Sequence, residues 1–236
     1  MKVFEIITEK RKNPKTSINK QLADIYNNAD ILEATNQPNC FVSFTEIDKL
    51  GINPKSTYNT PLGIYSYPAS YIMDRIGGNN PMDNLPFAGN QPFANVFKAN
   101  GNIVDLKHMQ NSQAVDYYRL IAKLWAEHSG QSWKESVDMI EMIIKDSETY
   151  SNFSEYVGGR FWYVTREIAH HLARKYNSPT KNTHNPSVPV AWNKLFRDIG
   201  IDGCVDFGVG IIHTSEPTQA VFFSIKSIQN NKRLIT

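Results

Sequence analysis

The chain has 236 residues, of which 41% are hydrophobic and 20% charged, and its 25 basic and 23 acidic side chains leave a formal net charge of +2. This is the composition of an ordinary globular protein with a substantial core, and so even a charge balance gives no argument for a nucleic-acid surface. No apolar run approaches the roughly 20 residues that span a bilayer, and the opening MKVFEIITEKRK lacks a signal-peptide core, so a cytoplasmic protein without membrane contact is expected.

In chain order, residues 17–34 space Ile18, Leu22, Ile25, Ile31 and Leu32 as a helix does, with Ser17 as a cap. CFVSFT (40–45) reads as a strand. From Lys49 to Gln91 the density of Pro, Gly and Asn argues for ordered loops between short strands. FANVFKANGNIVDL (93–106) predicts a hairpin turning at Asn100-Gly101. A helical middle segment follows, about 111–176. Its pieces AVDYYRLIAKLWAEH, SWKESVDMIEMIIKDSE and RFWYVTREIAHHLARKY all carry the 3.6-residue period, and Gly158-Gly159 separate the last from what precedes it. Residues 177–189 are rich in Pro and Asn and predict a loop, AWNKLFRDIG a short helix, and GCVDF, GIIHT and QAVFFS three strands. The whole reads as one α+β domain, residues 1–236, with strand-rich parts flanking the helices.

Familiar catalytic signatures are missing. There is no GxGxxG, no P-loop, no HExxH and no G-x-S-x-G elbow. Cys40 and Cys204 are too few for a cysteine zinc site or a disulfide framework. Glu167, His170 and His171 put an acid and an imidazole three residues apart on one helix, but a di-iron bundle needs that motif twice, and an ordinary helix face explains it as well.

Two segments remain. FVSFTEIDKLGINPKSTYNTPLGIYSYP (41–68) contains GIYSYP, which resembles the GIYF strand of the poly(ADP-ribose) polymerase-type fold. LFRDIGIDGCVDFGVGIIHTSEPTQAVFFSIKSIQ (195–229) resembles the closing segment of ADP-ribosyltransferases carried by phages and bacterial toxins, with GIDG standing for GYDG, a final strand, and a tail near Ile225 to Ile228. The two cover about a third of the chain.

The resemblance implies a split, mostly antiparallel sheet with an NAD cleft between its halves, NAD being a substrate cleaved between nicotinamide and ribose. Positive charge then develops at the anomeric carbon, as in glycosidases. Tyr65, after Gly63 in GIYSYP, matches the tyrosine that stacks on nicotinamide; Tyr65, Tyr67 and Tyr71 are equally readable as sheet aromatics. Ser43 and Thr45 match the first strand, where the family usually has histidine or arginine, so main-chain groups beside Ser43 are left to hold the amide. Gln219 stands where the catalytic glutamate is common, and a carboxamide supplies no negative charge. Glu216, three residues earlier, is the candidate acid, with Gln219 the ribose clamp; a solvated turn is the plainer reading of Glu216. Asn59 and Thr60 are candidates for shaping the cleft, and Arg75 or Arg160 for meeting the pyrophosphate.

The function so implied is mono-ADP-ribosylation of a macromolecular acceptor, protein or RNA/DNA. The protein would be a toxin, an antiphage effector or a phage-encoded modifier, with an antitoxin or chaperone as a partner if it is a toxin. Two rivals stand beside it: an inactive interaction module that keeps the NAD-binding fold, and a metal-dependent nuclease using His170, His171, His184, His213 and Glu216.

Overall fold

The structure is a computed structural model that describes residues 39–45, 50–52, 60–76, 93–150, 154–176, 187–214 and 217–235; the side chains of 73–76, 93–94, 150, 174–176 and 230–235 lie outside that description. The helix expected at 17–34, residues 177–186 of the loop expected at 177–189, Asn59, His184 and Glu216 also lie outside it; the last three residues of that expected loop, Ser187, Val188 and Pro189, instead form the first turn of a helix, where a proline needs no N–H partner.

Among the described residues the strands are β1 (Cys40–Thr45), β2 (Ile64–Pro68), β3 (Phe93–Ala99), β4 (Ile103–Asp105), β5 (Gly203–Phe207), β6 (Thr218–Phe222) and β7 (Ile228–Ile235). The helices are α1 (Ala69–Ile76), α2 (Asn111–Ser129), α3 (Trp133–Tyr150), α4 (Val157–Tyr176) and α5 (Ser187–Asp198). The strands form one sheet in the order β4-β5-β6-β2-β1-β3-β7. It is a mixed sheet: β4 runs parallel to β5, whereas β5–β6, β6–β2, β2–β1, β1–β3 and β3–β7 are antiparallel. The α+β class holds, but the expectation of a mostly antiparallel sheet gives way to this mixed one.

The partner of β4 is also the reason the expected 93–106 hairpin does not form. Asn100-Gly101 is a corner that sends β4 to one edge of the sheet, while β3 lies next to the opposite edge strand β7. Gly101 sits at φ +103°, and a Cβ there would meet the Asp202 carboxylate. That carboxylate accepts from the main-chain N–H of Asn102 at 2.9 Å, binding the corner to the start of β5 rather than to its own neighbour. GIIHT likewise is no strand but part of the β5–β6 turn.

Strand alternation divides the core. Val221 and Cys204 face α2–α5, where Phe161, Trp192, Phe196 and Phe223 join them; the Phe196 and Phe223 rings stack 4.4 Å apart. Phe222, one residue on from Val221, faces the other way and meets Phe41 and Phe97 with centroids 4.8 and 5.5 Å apart. Burying one such side chain is worth roughly 1.5–3 kcal/mol. The helices are closed by local chemistry: Ser132 and Glu135 cap α3 reciprocally, the Ser132 hydroxyl and N–H reaching the carboxylate at 2.7 and 2.8 Å. Those bonds hold the Glu135 carboxyl below its ordinary range. No described helix is long and apolar enough to cross a membrane.

Candidate functional site

The strand order places β1, β2 and β6 side by side, and these are the strands that carry Ser43, Tyr65 and Gln219. Between β1 and β2 the register is carried by Phe41 opposite Pro68 and Val42 opposite Tyr67. Beyond them Ser43 takes over: its hydroxyl donates to the Tyr65 carbonyl at 2.7 Å. A serine side chain thus bonds across to β2 just beyond the last register pair.

Register also assigns faces, because residues opposite one another across a pair of strands share a side of the sheet. Tyr65 lies opposite Val221, and Asp206 opposite Gln219. Gln219 is two residues from Val221, so Tyr65, Gln219 and Asp206 occupy the face that carries the helices. Tyr65 is half-buried against that core, and its hydroxyl donates to the Pro61 carbonyl at 2.5 Å. Tyr67 is on the same face, its ring stacked 6.2 Å from that of Tyr71 on α1 and edge-on to Phe44 at 6.1 Å. Ser43 opposes Asn95 on the other face. There the Asn95 amide donates to the Thr45 hydroxyl at 3.2 Å. Gly63 is buried tight against β6: a Cβ would lie 2.4 Å from Val221 Cγ2 and 2.9 Å from the Phe222 carbonyl. Thr60 is buried, and Arg75 falls on α1 with its side chain outside the described residues.

Gln219 is buried, with no hydrogen-bond partner for its Oε1 among the described residues; Ser66 Oγ and Asn95 Oδ1 on the opposite face share that condition. A buried acceptor left unpaired costs about 1–3 kcal/mol, so such an atom either carries that cost or waits for a donor. Its cross-strand neighbour is spoken for. The wholly buried Asp206 carboxylate accepts from the N–H groups of Val209 at 3.1 Å, Ile211, and Ile212 at 3.3 Å. Burial pushes its carboxyl above the ordinary carboxylate value, against the pull of those three N–H donors. Asp206 therefore shapes the turn before β6. Gly208 and Gly210, both at positive φ, complete that turn by donating to the Pro217 carbonyl at 2.9 and 3.2 Å.

Other candidates are occupied elsewhere. Arg160 donates to the Ser154 carbonyl at 2.7 Å, clasping the entry to α4. Glu167 pairs with Arg166 at 2.9 Å, and the His171 ring lies edge-on to Trp125 at 5.9 Å. Among the described residues no group of three or more His, Cys, Asp or Glu is placed to hold a metal ion.

One organising residue escaped the sequence reading. Asn193 on α5 donates to the Leu62 carbonyl at 2.5 Å and to the Phe223 carbonyl at 2.9 Å, while the Leu62 N–H donates to Pro189 at 2.9 Å. It ties the lead-in to β2 to the end of β6, joining the two segments that carry the resemblance. The available signal was its place in the apolar stripe of α5, among Pro189, Trp192 and Phe196. No family model, curated protein or solved structure matches this chain.

Proposed function

We propose that the chain is an NAD-dependent mono-ADP-ribosyltransferase acting on a macromolecular acceptor, protein or nucleic acid. The observation that carries this is the adjacency of β1, β2 and β6, which brings Tyr65 and Gln219 from distant parts of the sequence to one sheet face beside a sparsely joined pair of strands. On this reading the ring of Tyr65 takes the nicotinamide ring, offset stacking adding about 0.5–1.5 kcal/mol beyond burial. The unpaired Oε1 of Gln219 accepts from a ribose hydroxyl. Glu216, next in sequence to Pro217, supplies the negative charge that a carboxamide lacks. Preorganised groups of that kind are each worth on the order of 3–4 kcal/mol where charge develops.

A second reading draws on the same atom. If the carboxamide at 219 marks a lost acid, the fold binds the dinucleotide without turning it over. Incubation with NAD labelled in its adenylate, with and without host lysate or total RNA, separates the two. Label transferred to protein or RNA supports the transferase, and free nicotinamide without transfer indicates a glycohydrolase. Saturable NAD binding with no consumption indicates the inactive module. Neither binding nor consumption, with metal-stimulated RNA cleavage instead, overturns the proposal in favour of a nuclease.

A further inference from the structure

Asp206 on β5 and Gln219 on β6 stand opposite one another on the face that carries the helices. Side chains paired in this way have Cβ atoms about 4.5–5.5 Å apart, which puts a carboxyl and a carboxamide within hydrogen-bond reach. Both are buried, Asp206 at 0% and Gln219 at 4% exposure. A carboxylate offers about four lone-pair sites. In Asp206 three are taken, one on Oδ1 by the Val209 N–H and two on Oδ2 by those of Ile211 and Ile212. The site left over is on Oδ1. The carboxamide across from it has no partner for its own acceptor, Oε1, among the described residues.

Two bare acceptors side by side in a dry site are costly, since each has given up water without gaining a donor. Two arrangements remove that cost. A proton on Oδ1 makes a hydroxyl that donates to Oε1 and still accepts from Val209 through its other lone pair. Alternatively the acid ionises, its proton passes to solvent, and the amide turns over so that Nε2 donates to Oδ1. The two differ by one proton and a half-turn of the terminal amide, a torsion that is broad and roughly two-fold. The surroundings favour the proton. Burial raises the Asp206 carboxyl and the Asp105 carboxylate on β4 adds to it, against the pull of the three N–H groups. The helices over this face contribute no charge that acts on it among the described residues. His213 lies in the same turn, and Tyr65 and Tyr67 are the titratable side chains on this face of β2.

We infer that Asp206 and Gln219 form a proton-operated pair, in which neutral Asp206 holds Oε1 of Gln219 by a hydrogen bond and ionised Asp206 holds Nε2. Ionisation therefore turns Oε1 away from β5 and frees it as an acceptor. The pair stands whatever the activity of the chain. Only the further consequence, that Oε1 meets a ribose hydroxyl in the ionised form alone, rests on the transferase reading. The test is an NMR titration of the full chain from neutral to acid pH, following the Asp206 carboxyl carbon and the Gln219 side-chain amide. Asp206 should titrate above its ordinary value of 3.8, and the Gln219 amide signals should move with the same midpoint. In Asp206→Asn, whose Nδ2 copies the donor of the neutral acid, those signals should keep the wild-type acid-side position and ignore pH. Near-UV circular dichroism checks the fold of that variant, and the wild-type titration decides alone if it does not fold. Asp206 still ionised where the protein unfolds in acid, or Gln219 signals that ignore the Asp206 midpoint, would overturn the pair. Titration as expected, with no NAD breakdown at any pH, would remove the transferase reading and leave the pair standing.

Discussion

Two buried carboxamides behave in opposite ways. Asn193 is satisfied twice over, by the Leu62 and Phe223 carbonyls, whereas Gln219 leaves Oε1 without a partner among the described residues. Asn193→Ala strands the buried Phe223 carbonyl and the partly buried Leu62 carbonyl, so chemical denaturation should show a loss of about 1–3 kcal/mol. At this chain length each kcal/mol moves the thermal midpoint by about 2–4 °C. A variant as stable as the wild type would mean that water replaces the amide. Gln219→Glu asks the other question. It sets a second carboxyl beside Asp206, a pairing in which one of the two holds its proton more tightly. Should Gln219 hold a ribose hydroxyl, the variant should stay folded at neutral pH and keep or exceed the wild-type rate of nicotinamide release. Global unfolding of this variant would show Gln219 to be a structural amide. Tyr65 is less separable than its sequence position suggests: it is packed into the core and bonded to Pro61, so Tyr65→Ala will cost stability as well as any stacking.

Among the elements, the entry to α4 and the β5–β6 turn make the sharpest demands. Gly158-Gly159 are not a spacer before α4 but lie in its first turn. A Cβ at position 158 would lie 1.9 Å from the Leu106 carbonyl oxygen, so Gly158→Ala must push the helix off the end of β4. Overpacking of this kind typically costs about 1–3 kcal/mol, to be read as a lowered denaturation midpoint. Unchanged stability would mean that α4 slides freely. In the turn, the raised Asp206 carboxyl has a definite sign. Its folded form keeps the proton above the ordinary value of 3.8, so the native state binds more protons than the unfolded chain in that window. Asp206 thus contributes its full stability below pH 3.8 and loses part of it as pH rises through the folded value. Wild type should be more stable than Asp206→Asn at every pH, because one oxygen cannot serve three N–H donors, with the margin narrowing as pH rises through the window. A margin that widens with pH would show that the N–H donors outweigh burial.

Over the whole molecule, local pattern reported elements well and pairing poorly. β1, β5, β6 and α2–α4 stand where periodicity and turn residues put them, because each is amphipathic or apolar over its own length; α5 begins at Ser187, inside the expected loop, and β2 was singled out only by the resemblance of GIYSYP. β7 was legible only as a tail: IQNNKRLI has little apolar signal, as suits a strand at the edge of the sheet. The short α1 is hidden among prolines and tyrosines that read as loop chemistry. Choosing β5 over β3 as the neighbour of β4, and holding GIIHT as a turn on a buried carboxylate, are decisions made by residues far away in sequence or on the other side of a strand. The site shows the same division. Tyr65 and Gln219 were singled out through the resemblance, and strand order sets them on one sheet face, but the amide of Asn193 that binds their segments together reads, in sequence, as one more polar helix residue.

The most direct examination of that assembly is a crystal structure of the protein soaked with NAD. The dinucleotide should lie on the face of β2 and β6 that carries Tyr65 and Gln219, its nicotinamide ring against Tyr65 and a ribose hydroxyl within hydrogen-bond reach of Gln219 Oε1. NAD bound elsewhere, or no density at a concentration that saturates ordinary NAD enzymes, would contradict it.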